Sequence, residues 1–343
     1  MMKAAVFRGI GQVEVVEVPL PEPPGPGQVL IRVGYCGICG SDLEAYHTGM
    51  YEPGLIIGHE FAGTIFDTGP GVTGWQLGER VVVNDAIPCG ACAPCRLGRP
   101  QACESLTMIG VTHDGALAEY LTVPAGGLHH LPDEVSLRQG ALVEPLAVVL
   151  EAVRRSRLQL GDRVLVMGAG PIGLLAVQCA LLAGARQVVA TEVDPVRAAL
   201  AGRLGAAAVL DPERENVAVA LSRLTGGQGP DIVYICTGAP EPFLDSISLV
   251  RKGGQIYVLG LCVEPVPADF MSVVFNDLCI EGSLAGPSQF PAAIDLLAQG
   301  RLDVEALVSH EITLDEVVTG GFGRLVTPGS GAVKILVRIG GER

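Results

Sequence analysis

The run CGACAPCRLGRPQAC, residues 89–103, sets cysteines at 89, 92, 95 and 103. Two-residue gaps let successive thiolates turn onto one tetrahedral ion, and Gly90 and Pro94 suit the tight turns required. The same crowding disfavours several independent disulfides. A single C-x-x-C would suffice for a redox pair, so the four thiols are read as a zinc site, with an iron–sulfur cluster or free thiols as the alternatives. Cys89, Cys92, Cys95 and Cys103 fill all four positions of such an ion. It would therefore stabilise a lobe and take no part in chemistry.

A second chemistry lies in VLVMGAGPIGLLAV, where Gly168, Gly170 and Gly173 form G-x-G-x-x-G between a strand pattern and a helix pattern. In that setting the glycines allow a tight turn, close approach of backbone to a pyrophosphate, and close helix packing. The helix N-terminus faces the anion. Nineteen residues beyond Gly173, at the end of the next strand pattern, stands Glu192. A carboxylate there accepts both ribose hydroxyls of NAD and repels a 2′-phosphate, so NAD is expected over NADP.

Three further motifs carry ligand-type residues. GYCGICGSD holds Cys36, Cys39, Ser41 and Asp42, IIGHEFAG holds His59 and Glu60, and ALVEPLAV holds Glu144. Taken singly, each has an ordinary reading as a core thiol, a satisfied histidine or a solvated acid. Beside a nicotinamide site they form a Cys/His/Glu set of the kind that binds zinc with a position left for water or substrate.

The elements that must position these residues fall into two patterns. Residues 1 to about 145 read as short strands and turns, among them KAAVF, VEVVEV, RVVV and AEYLTV, with PLPEPPGPG an extended connector. From about residue 160, strands such as DRVLVMG, QVVATE, DIVYICTG and GQIYVLG alternate with helix patterns, which implies a parallel, doubly wound α/β sheet. The tail from about 290, ending in AVKILVRI, resembles the first region and is expected to return to it.

At 343 residues the chain suits two domains. Its net charge of −14 repels phosphate backbones and anionic lipid, so neither nucleic acid nor membrane is an expected partner. No apolar run reaches membrane-spanning length and no signal pattern opens the chain, so a cytoplasmic location is expected, where thiols stay reduced.

On CGICGSD, GHEFAG, the four-cysteine lobe, VEPLAV and GAGPIG, which occur in family order across essentially the whole chain, the sequence closely resembles the zinc-dependent medium-chain dehydrogenases, in the branch of sorbitol, threonine and butanediol dehydrogenases. The resemblance implies a GroES-like catalytic domain over residues 1–147, with a zinc lobe near 85–110. It implies a Rossmann NAD-binding domain over 148–285 and a return to the catalytic domain over 286–343. It also implies homo-oligomers, either dimers or tetramers.

By the same resemblance, catalytic zinc sits on Cys39, His59 and Glu60. Glu144 either ligates that ion or holds its water, and Cys36 falls outside the ligand pattern. Ser41 touches the substrate oxygen and starts a proton relay, while Asp42 orients the histidine. Pro171 and Ile172 lie within the phosphate turn, Arg197 contacts the cofactor near its adenosine, and Thr237 and Leu259 line the nicotinamide side.

Two positions depart from the family pattern. Glu44 replaces a relay histidine, with His47 nearby, and the segment GSLAGPSQF lacks the arginine that contacts polyols in sorbitol dehydrogenases. The implied activity is zinc-dependent, NAD-linked oxidation of a secondary alcohol to a ketone, the alcohol being a polyol, cyclitol or vicinal diol. Glu44, Tyr46 and Glu144 are the nearest groups to recognise it. An amino-alcohol dehydrogenase acting on threonine or an aminocyclitol is the alternative, and a non-catalytic NAD- and zinc-binding protein is an alternative of another class.

Overall fold

The computed structural model describes residues 1–340. Contacts divide the chain into two compact units, Met1–Ala147 with Ala285–Arg343, and Val148–Leu284.

The second unit holds the parallel sheet that the alternating pattern predicts. Its six strands lie in the order Ala208–Leu210, Gln187–Thr191, Arg163–Met167, Ile232–Ile235, Gln255–Val258 and Cys279–Gly282. Every neighbouring pair is parallel. In chain order this is 3-2-1-4-5-6, the doubly wound arrangement whose ligand crevice opens where the order reverses. That point lies between Arg163–Met167 and Ile232–Ile235. Near-continuous apolar runs such as RVLVM are what strands covered on both faces require, and Leu165, Val189, Val233 and Ile256 are buried in one cluster.

The first unit is built on a seven-stranded, mainly antiparallel sheet. The strand Gln28–Gly37 lies at its centre and pairs with Glu60–Thr68, Tyr120–Pro124 and Lys334–Arg338. The C-terminal strand pairs with Val337 opposite Cys36 and Leu336 opposite Gly37. Phe7, Ile31, Val33, Phe61, Leu117 and Phe322 fill the core of this unit. Among the described residues, no helix is long and apolar enough to cross a membrane.

Candidate active site

In the first unit the helix Gly40–Thr48 starts at Cys39, which has extended backbone, and stops at Gly49 in the left-handed region. Asp42 fixes that start, accepting the Cys39 N–H through Oδ2 at 2.9 Å. Its Oδ1 lies 3.8 Å from His59 Nδ1. The other imidazole nitrogen, Nε2, lies 3.5 Å from Ser41 Oγ. His59 and Glu60 stand at the start of Glu60–Thr68, the strand paired with Gln28–Gly37, so sheet pairing brings them to the helix start. One ligand atom each from Cys39, His59 and Glu60 lies within 4.8 Å of the others.

Glu144, in the first turn of the helix Val143–Arg155, is buried beside this trio but outside it. Burial pushes its carboxyl well up, with Asp85 adding to the shift. Burial alone would lower the pKa of His59, yet Cys39 and Asp42 reverse the direction and raise it well above the ordinary value. The pocket favours positive charge at its centre, and its sulfur, imidazole and carboxylate donors suit zinc with a position left open.

Three groups that the sequence reading passed over join this site. Lys334, 2% exposed, forms an ion pair with Glu60 Oε2 and donates to the Ile38 carbonyl at 3.1 Å. Burial opposes its charge, but Glu60 and Cys39 outweigh it and raise the pKa. Tyr51 is buried with its hydroxyl alongside Ser41 and near Asp42 and Asp85. Asp85, 1% exposed, interacts electrostatically with His59 and Glu60, and burial pushes its carboxyl up. A lone charge inside VVVNDAI or AVKILV is the signal that could have marked Asp85 and Lys334. Of the earlier candidates, Glu44 is half-buried one turn beyond Ser41. The Tyr46 ring packs against Phe322, with centroids 5.3 Å apart, and His47 is exposed.

The lobe places Cys89, Cys92, Cys95 and Cys103 so that all four sulfurs lie within 4.8 Å of one another, with no disulfide among them. Backbone N–H groups point at the sulfurs: Ala91 and Cys92 toward Cys89 at 3.4 Å, and Cys89 toward Cys103 at 3.2 Å. Hydrogen bonds from Ala91 and Cys92 bring the Cys89 thiol down to about 6. Such a set of donors fits a tetrahedral ion.

In the second unit Gly168 follows the strand Arg163–Met167 at φ +92°, a conformation that glycine alone adopts readily. Gly170 caps the helix Pro171–Leu182, of which Pro171 and Ile172 form the first turn. A Cβ on Gly173 would overlap the Gly168 carbonyl oxygen, so the helix packs closely there, whereas a Cβ on Gly170 would meet nothing within 4 Å. The turn thus offers a cradle open at Gly170 and closed at Gly173, as a bound pyrophosphate requires.

Glu192 accepts the N–H groups of Ala169 at 2.7 Å and of Val193 and Asp194 at 2.9 Å, which holds its carboxylate against the glycine turn. Arg197 lies in the following helix, Pro195–Arg203. Thr237 borders Gly168, and the Leu259 N–H bonds the Ile235 carbonyl. Glu192, Thr237 and Leu259 therefore lie in segments that follow strands of the same sheet, and Arg197 lies in the helix after Glu192.

Comparison with known proteins bears on both units. Residues 25–133 match the alcohol dehydrogenase GroES-like domain, and residues 171–299 match the zinc-binding dehydrogenase domain. The chain is 35% identical to an L-threonine 3-dehydrogenase of Mesorhizobium japonicum over 97% of its length and 98% of that protein. The chain belongs to the zinc-binding alcohol dehydrogenases.

Within this family it is also similar to a (R,R)-butanediol dehydrogenase of Bacillus subtilis, at 34% identity over 98% of this chain and 99% of that one. Among solved structures it resembles a protein of Sinorhizobium meliloti 1021, described as a zinc-binding dehydrogenase and bound to NADP. That match has a TM-score of 0.91 and 35% identity, and covers 98% of this chain and 99% of that one. The α/β fold expected from the sequence, a GroES-like domain with a Rossmann-type sheet, is the fold of this zinc-binding dehydrogenase.

Proposed function

We propose that the chain oxidises a secondary alcohol to a ketone with NAD, the alcohol carrying a neighbouring polar substituent as in a polyol, cyclitol or vicinal diol. The observation that carries this reading is the convergence of Cys39, His59 and Glu60 beside Ser41, in a chain whose other unit holds an open glycine cradle. A binding protein would need neither the ligand trio nor the adjacent hydroxyl.

Cys39, His59 and Glu60 would hold the catalytic zinc, and Cys89, Cys92, Cys95 and Cys103 the structural one. Bound zinc would supply a Lewis acid for the alcohol oxygen, and bound NAD would be the acceptor of the hydride from the carbinol C–H bond. Ser41 Oγ receives the substrate hydroxyl proton, and Glu44, one turn further out on the same helix, is its proposed outlet to solvent. Asp42 holds the His59 ring through Nδ1. Glu144 stays outside the ligand trio and orients substrate or water.

In the second unit, residues 168–173 cradle the pyrophosphate and Glu192 takes the adenosine ribose hydroxyls. Arg197 lies near the adenosine, and Thr237 and Leu259 flank the nicotinamide. Glu192 supports NAD for this chain, although the S. meliloti relative is described with NADP.

The domain roles follow: residues 1–147 and 286–343 catalytic, 148–285 cofactor-binding. A homo-oligomer is supported by the helix Phe270–Phe275, where Phe270, Met271, Val274 and Phe275 are all exposed beside the outermost strand Cys279–Gly282. Light scattering of the purified protein would read its mass. The charge and composition fit a cytoplasmic enzyme.

The test of the activity is NADH formation, followed by absorbance, across polyols, diols, cyclitols, amino alcohols and simple secondary alcohols. Substrates with a second polar group are expected to give the higher kcat/KM. Absence of NADH with every member would end the dehydrogenase reading. Higher kcat/KM for simple alcohols would move the chain toward general alcohol dehydrogenases.

A further inference from the structure

Four carboxylates are buried in one neighbourhood of the first unit: Asp42, Glu60, Asp85 and Glu144. Three of these have assigned partners or roles. Asp42 faces His59, Glu60 is paired with Lys334, and Glu144 opens a helix beside the ligand trio. Asp85 has none of these. Among the described residues, no donor meets either of its oxygens in hydrogen-bonding geometry, although the N–H groups of Asp85 itself and Ala86 lie nearby. It also lies outside the set of mutually close ligand atoms.

A buried carboxylate without a partner has lost its hydration and gained nothing in return, a deficit that a bound donor can make good. With Glu144 held neutral by burial, Lys334 and a divalent ion bring three positive charges against Asp42, Glu60, Asp85 and the Cys39 thiolate, so one negative charge remains even with metal bound. Among the described residues the Tyr51 hydroxyl is a second buried polar group with no partner in hydrogen-bonding geometry; it lies alongside Ser41 and interacts electrostatically with Asp85.

We propose that Asp85 is a specificity site for a protonated amine on the carbon next to the carbinol, so that the substrate is a vicinal amino alcohol bearing no neighbouring carboxylate or phosphate. This rests on the reading of Cys39, His59 and Glu60 as the metal centre. A polyol hydroxyl would satisfy one oxygen of Asp85, but it would leave the surplus charge uncompensated. An ammonium group supplies both the donors and the charge. The same surplus repels an anionic substituent, which sets this substrate class apart from threonine, whose carboxylate adjoins its amine. The redox step is unchanged: the carbinol C–H pair passes to NAD and the hydroxyl proton to Ser41.

The test uses the zinc-loaded enzyme at neutral pH with 1-amino-2-propanol, 1,2-propanediol, 2-butanol and threonine, each with NAD. The expected result is a kcat/KM for 1-amino-2-propanol at least tenfold above the diol, with threonine below both. In Asp85→Asn at full zinc content, the amine-to-diol ratio is expected to fall at least tenfold. A wild-type ratio of one or less overturns the inference and leaves the dehydrogenase reading standing, as does a ratio that Asp85→Asn does not change. Should that variant fail to fold, the wild-type ratio and the rank of threonine decide alone. No NADH from any of the four would overturn the inference and count against the dehydrogenase reading as well.

Discussion

Lys334 and Glu60 form the one contact on which the chemistry of the site turns most directly. The lysine is buried, and its partner is also a member of the ligand trio. Removing one member of a buried pair exposes the other to the full desolvation penalty, about 3–5 kcal/mol. Lys334→Met should lose about that much stability in chelator-treated protein, read by urea unfolding. With zinc bound, the ion itself neutralises Glu60, so the loss should shrink. Equal losses with and without zinc would show that the lysine and the metal do not share the carboxylate.

Glu192 offers a second test at this scale. Because it also holds three backbone N–H groups, Glu192→Gln is the cleaner variant: it keeps an acceptor and removes the charge that repels a 2′-phosphate. Its NADP/NAD ratio of kcat/KM should rise at least tenfold, about 1.4 kcal/mol. An unchanged ratio would locate cofactor choice elsewhere. The residues legible in the sequence were those whose chemistry is local, such as the glycine turn, the four cysteines, and Cys39 with Asp42. Lys334, Asp85 and Tyr51 were not legible, because their meaning lies in contacts that only sheet pairing creates. Lys334 meets a carbonyl 296 residues away in sequence.

Among the elements, the cysteine lobe has little beyond its sulfurs to order it. It contains two-residue strands, a four-residue helix and a three-residue turn of helix. Binding energy at such a site is folding energy. Cys95→Ala should remove one zinc per chain and lower the thermal transition, and metal analysis giving the wild-type zinc content for that variant would contradict the assignment.

The parallel sheet has its own clamp. Asp231 accepts the Arg163 N–H at 2.8 Å and Arg251 Nε at 2.5 Å, at the edge where Arg163–Met167 and Ile232–Ile235 begin. Burial would raise its carboxyl, but these two partners outweigh it and hold the pKa below the ordinary value. A depressed carboxylate pKa stabilises the fold above the unfolded-state value, near 4, and that contribution fades as pH falls through the folded-state value. Asp231→Asn should therefore cost about 1–2 kcal/mol at pH 7 and progressively less below pH 4. A stability difference that stays constant with pH would rule out the ionic origin. The element pattern here was legible in the sequence, since strand and helix periods and the glycine turn are local. The sheet of the first unit was less so, because antiparallel partners come from both ends of the chain.

At the scale of the whole molecule, the two implied zinc sites differ in what surrounds them. The lobe set is partly exposed, with Cys89 at the surface, whereas His59 and Glu60 are buried. A chelator should therefore strip the lobe first. Stability and assembly would fall before the catalytic ion is lost, and a chelation time course following zinc release, light scattering and NADH formation would resolve that order. Loss of activity before any change in stability or assembly would reverse it. The net charge of −14 keeps like molecules apart except where an apolar face such as Phe270–Phe275 overcomes it, so any association there should tighten as salt screens the charge.

The return of the strand Lys334–Arg338 to Gln28–Gly37 also sets a clock. Cys39, His59 and Glu60 leave the ribosome early, while the lysine that balances Glu60 follows some 296 residues after Ile38. At about 5–20 residues per second, the nascent chain spends roughly 15–60 seconds with its ligands made and their counter-cation not yet synthesised. During that interval Glu60 lacks the lysine that pairs with it, and a metal ion can take the place of that cation. An early-bound ion would template the pocket, and Lys334 would close it last.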